Sequence, residues 1–341
     1  MMWKYIFGFD AAAPDACAKS LREKGYDSVV VGSADERTRE ALAEHGLELY
    51  LCYGALGLRG ESDPLAVDAF GTERRWFGSG CPNNEALALS RMRSALERVT
   101  DDVRGVFVDG ARFASFASAE GPESFFTCFC PRCMEKMAAM GLNPEAVRGA
   151  VQRLARGEKP QPETMRELIG WFAFRESCVR DYFDRFADAV HALRADLAAG
   201  AFVFAPTLCG YVGQTAKACG KLDIVAPMLY RAYPHPDGPA CLGHEWAAMK
   251  RLFGERAASV SLCGAGPCSV PAEDPDALLS DGFPPKQIAK EVSMAKNALR
   301  PGQRLLPILQ IEDERKDETA RLSLESGADG YGFFAYGQAE A

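Results

Sequence analysis

A chain of 341 residues with 48% hydrophobic and 25% charged side chains has ordinary globular composition, which excludes collagen-like, low-complexity and disordered classes. Its 39 basic and 47 acidic residues leave a net charge of −8, which excludes a broad nucleic-acid footprint and a polybasic membrane anchor. The length sets a prior of about two domains or one large α/β barrel, and a chain of this size needs no disulfide or metal staple to fold.

The opening stretch MMWKYIFGFDAAAPDA carries one lysine and a short apolar run, so no secretory signal is expected. No run of 18 or more apolar residues occurs, so no membrane-spanning helix is expected. The cytoplasm is the expected compartment. Twelve cysteines in a reducing compartment are thiols or metal ligands, not a disulfide framework.

Short apolar runs of strand character alternate with helical patterns. WKYIFGFD (3–10) precedes a helix over 14–24, and DSVVVG (27–32) precedes one over 35–45. LELYLCYG (47–54) is followed, after a long loop, by a helix over 84–99. The fourth run is RGVFVDG (104–110), and the helical region after it ends in an amphipathic stretch over 162–198. AFVFAPT (201–207) and LDIVAPMLY (222–230) are followed by helical patterns near 214–219 and 243–253. RLLPILQIE (304–312) leads into a helix over 314–326, and GYGFFAYG (330–337) is the eighth run.

Runs that are apolar on both faces and alternate with helices specify a parallel sheet. Eight such units specify a (β/α)8 TIM barrel. ASVSLCGAG (258–266) also has strand character; it reads as an excursion, because the helix over 285–299 already feeds the seventh run. An open doubly wound sheet usually carries a glycine-rich phosphate loop after its first strand. Here DAAAPDAC follows, and no GxGxxG or P-loop signature occurs. The polar, proline-bearing segment 141–163 reads as an insertion joining two helical pieces. The expected organisation is one barrel domain over 1–341, with a zinc-binding loop and extended helical insertion over 111–163 after the fourth strand.

The sharpest local signal is Thr127-Cys128-Phe129-Cys130-Pro131-Arg132-Cys133. Three cysteines at CxCxxC spacing can converge on one tetrahedral metal, and a closed zinc site takes four ligands. Cys81, in Gly80-Cys81-Pro82-Asn83, is the fourth candidate. It opens the helix leading into the fourth strand, while the triple lies in the loop leaving that strand. Cys17, Cys52, Cys178, Cys209 and Cys219 read as free or buried thiols, and the pair Cys263 and Cys268 stays unassigned. The four histidines show no ligand spacing, which favours a structural over a catalytic metal.

A lone CPN segment before a helix, followed by CxCxxC after the fourth strand, resembles the family-42 β-galactosidases and related barrel glycoside hydrolases. The likeness rests on Cys81-Pro82-Asn83 with Cys128, Cys130 and Cys133, and it covers about 76–190, including Phe174-Arg175. It implies a structural zinc held by those four cysteines. The chain departs from the clan at the end of the fourth strand. An Asn-Glu pair is expected there, and this sequence reads Val108-Asp109-Gly110-Ala111-Arg112-Phe113.

Barrel active sites lie at the C-terminal ends of the strands. The carboxylates at such ends are Asp10, Asp109 and Glu312, with Asp313 and Glu314 just beyond. Glycoside hydrolysis uses two carboxylates; Asp109 and Glu312 fill the fourth- and seventh-strand places. Arg112, three residues from Asp109, is expected to lower its pKa, which suits a nucleophile and leaves Glu312 as the acid, or the reverse. Sugars stack on aromatic rings. The candidates are Trp76, Phe77, Tyr233, Tyr336 and, first among them, Tyr230; Gln310 is a candidate for a hydroxyl. Trp171 and Trp246 read as helix core. The acidic loop after the seventh run disfavours phosphate, and no GxSxG elbow occurs. The expected protein is a zinc-bearing glycoside hydrolase acting on a small glycoside or oligosaccharide, with no nucleic-acid or membrane partner and a homo-oligomer left open. The alternatives are a carbohydrate-binding barrel without turnover and a zinc-dependent hydrolase.

Overall fold

The computed structural model describes residues 3–58, 60, 65–117, 121–158, 161–231, 242–253 and 279–337. The run 258–266, Tyr233, Cys263 and Cys268 lie outside the described residues. The elements in chain order are β1 (Trp3–Phe7), α1 (Pro14–Glu23), β2 (Ser28–Val31), α2 (Glu36–Glu44), β3 (Glu48–Gly54), β4 (Ala66–Val67), β5 (Glu73–Arg74), α3 (Glu85–Leu96) and β6 (Val103–Asp109). A 3-10 turn (Pro122–Phe126), α4 (Pro131–Ala139), α5 (Pro144–Ala155) and the long α6 (Pro162–Leu193) follow. Then come β7 (Ala198–Val203), α7 (Pro206–Val212), β8 (Ile224–Pro227), α8 (Leu242–Phe253), α9 (Pro285–Ala298), β9 (Arg304–Leu305), β10 (Ile308–Gln310), α10 (Lys316–Glu325) and β11 (Gly330–Phe334).

Local chemistry accounts for the helix starts. Asp35, Asn84 and Asn143 each accept a hydrogen bond from a backbone N–H of the first turn of α2, α3 and α5. Proline occupies the first position of α1, α4, α6 and α7, where its missing N–H costs nothing and its φ is already helical. The helical pattern expected near 214–219 is corrected to α7, eight residues earlier. Pro206 starts that helix directly after β7, and Gly213, at φ +85°, ends it in the left-handed region.

Nine strands form one parallel sheet in the order β10-β11-β1-β2-β3-β6-β7-β8-β9, and β4 and β5 make a separate antiparallel pair. All eight predicted runs appear in this sheet. The seventh supplies two strands: Arg304–Leu305 pairs with β8 at one end of the order, and Ile308–Gln310 pairs with β11 at the other. The sheet therefore curls until one run serves both of its ends. Its ladder breaks at Leu306-Pro307, where proline has no N–H to give. The expected closed eight-strand barrel is thus found as a curled nine-strand sheet with helices.

The inner face of the curl is filled by Tyr5, Tyr50, Phe107, Phe202, Tyr230 and Leu306. Phe107 and Phe202 stack with centroids 4.9 Å apart, and Tyr5 lies 6.3 Å from Phe107. Glycines make room for these rings. A Cβ at Gly332 would lie 2.1 Å from the Tyr5 ring, and one at Gly200 would lie 2.8 Å from Phe107. A second, larger core lies between sheet and helices and includes Trp171 and Trp246, as expected for helix-core residues. Cys17, Cys52, Cys178 and Cys219 are buried free thiols, and Cys209 is half-buried. Among the described residues, no helix is long and apolar enough to cross a membrane.

Candidate functional site

The four predicted cysteines meet. The sulfurs of Cys81, Cys128, Cys130 and Cys133 all lie within 4.8 Å of one another and are buried. Cys81 Sγ is 3.5 Å from both Cys130 Sγ and Cys133 Sγ. A zinc–thiolate bond of about 2.3 Å gives a tetrahedron with an edge of about 3.8 Å, so the spacing fits a four-sulfur metal ion. Backbone and amide donors surround the sulfurs. Val67 N–H points to Cys128 Sγ (3.4 Å), Asn83 N–H to Cys81 Sγ (3.3 Å) and Asn83 Nδ2 to Cys133 Sγ (3.2 Å). Hydrogen bonding with Cys128 pushes the Cys81 and Cys133 thiols up and pulls Cys130 down. Four buried sulfurs cannot all ionise against one another, and a cation relieves that conflict.

Arg175 on α6 holds the cysteine loop from behind. It is fully buried and donates to the carbonyls of Phe125, Thr127 and Tyr211. Its guanidinium lies 3.8 Å from the Trp171 ring centroid. Thr127 is the residue before Cys128, so this one side chain ties the long helix to the start of CxCxxC.

A cavity of about 280 Å³ opens at the C-terminal ends of four neighbouring strands. Gly54 ends β3, Asp109 ends β6, and Phe204 and Met228 follow β7 and β8. Trp76, Phe77, Ser79 and Arg112 complete its wall. Four residues singled out from sequence, Trp76, Phe77, Asp109 and Arg112, are therefore brought together. Asp109 accepts from Gly110 N–H (2.7 Å). Its carboxyl meets the water of the cavity, yet the surrounding protein raises its pKa above the ordinary carboxylate value, partly offset by Arg112. The lowering by Arg112 expected from sequence is present, but desolvation outweighs this one through-space charge and the net shift is upward.

Arg112 is buried between aromatic rings, with its guanidinium 4.3 Å from the Phe204 centroid and 4.7 Å from Trp76. Burial lowers its pKa to about 10, so it stays cationic at neutral pH. It donates to Phe113 O (3.0 Å), and its Nε has no partner among the described residues. Sequence reasoning missed Glu245 on α8. This carboxylate is buried, accepts from Ala117 N–H (3.1 Å) and attracts Arg112 through space; burial raises its pKa. The available signal was an acid beside Trp246, on the apolar side of a helix.

Asp10, Tyr230, Gln310 and Glu312 do not line this cavity. Asp10 caps its own turn by accepting from Ala12 N–H (2.9 Å). Tyr230 is buried in the inner core, 5.6 Å from Phe334. Gln310 is buried, and its Oε1 has no partner among the described residues; the same holds for the buried Oε2 of Glu312. Asp313 forms a two-pronged ion pair with Arg231, at 2.6 and 2.8 Å. Burial works against ionisation there, but the arginine outweighs it and holds the carboxyl low. Tyr336 lies at a different cavity, beside Lys4 and Tyr26.

The fold has solved counterparts. A β-galactosidase from the Antarctic haloarchaeon Halorubrum lacusprofundi matches with a TM-score of 0.64 at 16% identity, over 98% of this chain and 53% of that one. A β-galactosidase from Marinomonas ef1 matches with 0.63 at 12% identity, over 98% and 54%. The catalytic domain of a β-amylase from Paenibacillus polymyxa matches with 0.50 at 12% identity, over 98% and 92%. The chain shares the fold of these three solved proteins. The chain spans about half the length of the two β-galactosidases. No protein-family model and no curated protein sequence matches it.

Proposed function

We propose that this chain is a glycoside hydrolase of small glycosides or oligosaccharides, built on a curled, barrel-like parallel sheet, with Asp109 at the reacting bond. The observation that carries the reading is the carboxyl of Asp109 facing a cavity beside Arg112 at the C-terminal strand ends, where barrel enzymes work. Asp109 acts as general acid on the leaving-group oxygen, the role that the upward direction of its shift suits better than that of nucleophile. Arg112, cationic and with an unpartnered N–H, holds substrate oxygens and stabilises charge on Asp109 once the proton has left. Glu312, just beyond β10, does not line this cavity and is kept as the candidate second carboxylate of the two-carboxylate scheme that the experiment below decides. Trp76 backs Arg112, whereas Asp10, Tyr230 and Gln310 lie away from this cavity and are given no contact in the scheme. The barrel-like curl is supported by the run 304–310, whose two strands are the two ends of the sheet order. The helices α4 and α5 are read as the insertion after the fourth strand.

The cysteine cluster is assigned to zinc. Four thiolates close its coordination, so it ties the loop at 128–133 to Cys81 and leaves no open position for chemistry. That speaks against a zinc-dependent hydrolase. A second reading, a carbohydrate-binding barrel without turnover, is favoured by one observation: among the described residues, Asp109 is the one carboxylate lining the cavity.

The test is hydrolysis of a panel of 4-nitrophenyl glycosides by wild type, Asp109→Asn and Glu312→Gln, with zinc content and folding measured on the same samples. Loss of activity in both variants at unchanged folding supports the two-carboxylate enzyme. Loss in Asp109→Asn alone removes Glu312 from the scheme. A folded wild type that binds glycosides and cleaves none moves the assignment to the binding barrel.

A further inference from the structure

The cavity wall holds an aromatic side chain in a backbone conformation that its residue type disfavours. Trp76 and Ser79 exchange two backbone hydrogen bonds, Trp76 N–H to Ser79 O (3.2 Å) and Ser79 N–H to Trp76 O (2.9 Å). Between them, Phe77 has φ +46° and Gly78 φ +67°. Two left-handed residues closing a two-residue hairpin are the pattern of a type I′ turn, whose first central position favours Asn, Asp or Gly. A bulky residue with positive φ is an outlier and persists where the surroundings over-determine it. Here they do. Leu58 N–H bonds Gly78 O (2.9 Å), Gly57 bridges Ser79, and Cys81, two residues on, is locked in the sulfur cluster.

The turn carries the Phe77 ring to the cavity rim. Phe77 is 42% exposed, whereas its neighbour Trp76 is 1% exposed and lies against Arg112. Trp76 therefore has no face to offer a ligand. The Phe77 ring shares the wall with Asp109 and sits 6.0 Å from the Arg112 guanidinium. An apolar face beside a carboxyl and a guanidinium matches a sugar ring, which is apolar on one face and hydroxylated at its edge. Phe70 is also exposed, at 48%, but it does not line the cavity.

We propose that Phe77 is a specificity-determining platform, held at the tip of a strained hairpin so that the apolar face of a sugar ring stacks on it. The proposal rests on the carbohydrate reading above. It separates two effects that a packing role would join. Phe77→Asn installs a residue the turn favours while deleting the ring; Phe77→Tyr keeps the ring, and Phe77→Leu keeps apolar bulk without an aromatic face.

The experiment is titration calorimetry of wild type and the three variants with methyl glycosides and lactose, alongside thermal unfolding. The expected result is that Phe77→Asn unfolds about 1–2 °C higher than wild type yet binds about five- to tenfold more weakly. Phe77→Tyr binds like wild type, and Phe77→Leu falls with Phe77→Asn. Wild-type affinity in Phe77→Asn or Phe77→Leu overturns the platform alone. A lower unfolding midpoint for Phe77→Asn also overturns it, because the ring would then be holding the hairpin together. A wild type that binds none of these sugars overturns the carbohydrate reading and the platform with it.

Discussion

Replacing Arg175 with Met tests whether one side chain anchors the cysteine loop. The guanidinium satisfies three buried carbonyls, those of Phe125, Thr127 and Tyr211, and lies over Trp171. Each buried acceptor stranded by the change costs about 1–3 kcal/mol. Removing a buried cation returns part of its desolvation cost, and methionine fills much of the vacated volume. The net destabilisation is about 3 kcal/mol, near the cost of deleting one partner of a buried polar pair. Unfolding entropy of about 2.1 cal/mol/K per residue converts that to about 4 °C in Tm for a chain of this length. Because Thr127 precedes Cys128, the CxCxxC loop loosens as well. The assay is urea unfolding followed by tryptophan fluorescence, with the zinc-to-protein ratio measured on the same samples. Arg175→Lys is expected to lose more than half as much stability, since an ammonium cannot span three carbonyls with a planar fork. A loss below about 1 kcal/mol with full metal content would refute the anchoring role.

Three further outcomes follow from the same geometry. Asp109 has a folded-state pKa above its unfolded value, so its ionisation costs stability as pH rises through the ordinary carboxylate range. Asp109→Asn should therefore unfold at a slightly higher temperature than wild type at pH 7, with the difference closing below about pH 4, while glycoside turnover is lost; an unchanged or lower midpoint at pH 7 would contradict the upward shift. Stripping metal with a chelator should lower the unfolding midpoint, since the cluster ties segment 81 to 128–133 and metal binding is folding free energy; metal-free protein with an unaltered midpoint would rule out a structural ion. Gly332→Ala places a methyl 2.1 Å from the Tyr5 ring, whose hydroxyl is tied to Leu306 O at 3.0 Å. It should cost about 1–3 kcal/mol by overpacking, and a denaturation curve matching wild type would show that the inner core yields more readily than its packing suggests.

The cysteine cluster was legible because ligand spacing is a local property. CxCxxC brings three sulfurs together over one turn, and Cys81 follows from where the loops begin and end. The eight strand runs were legible for a similar reason, since burial on both faces leaves an unbroken apolar string. Helix starts at Asp35, Asn84 and Pro162 are equally local, because a cap or a proline acts on its own first turn.

The candidate site depended on longer range. The pKa of Asp109 has two opposing causes, and the near one, Arg112, is visible in sequence. The stronger one is desolvation by the surrounding protein, in a cavity whose walls come from the ends of β3, β6, β7 and β8 and which only the curl of the sheet assembles. Glu245 approaches Arg112 from a helix more than a hundred residues away in the chain. Trp76 and Phe77 are adjacent and chemically alike, yet one lies buried against Arg112 and the other faces the cavity, because a single turn with two positive φ values divides them. Ligand spacing, capping and strand burial are short-range and survive as sequence patterns. Desolvation and the direction of a side chain are sums over everything packed nearby, and they exist only once the chain has folded.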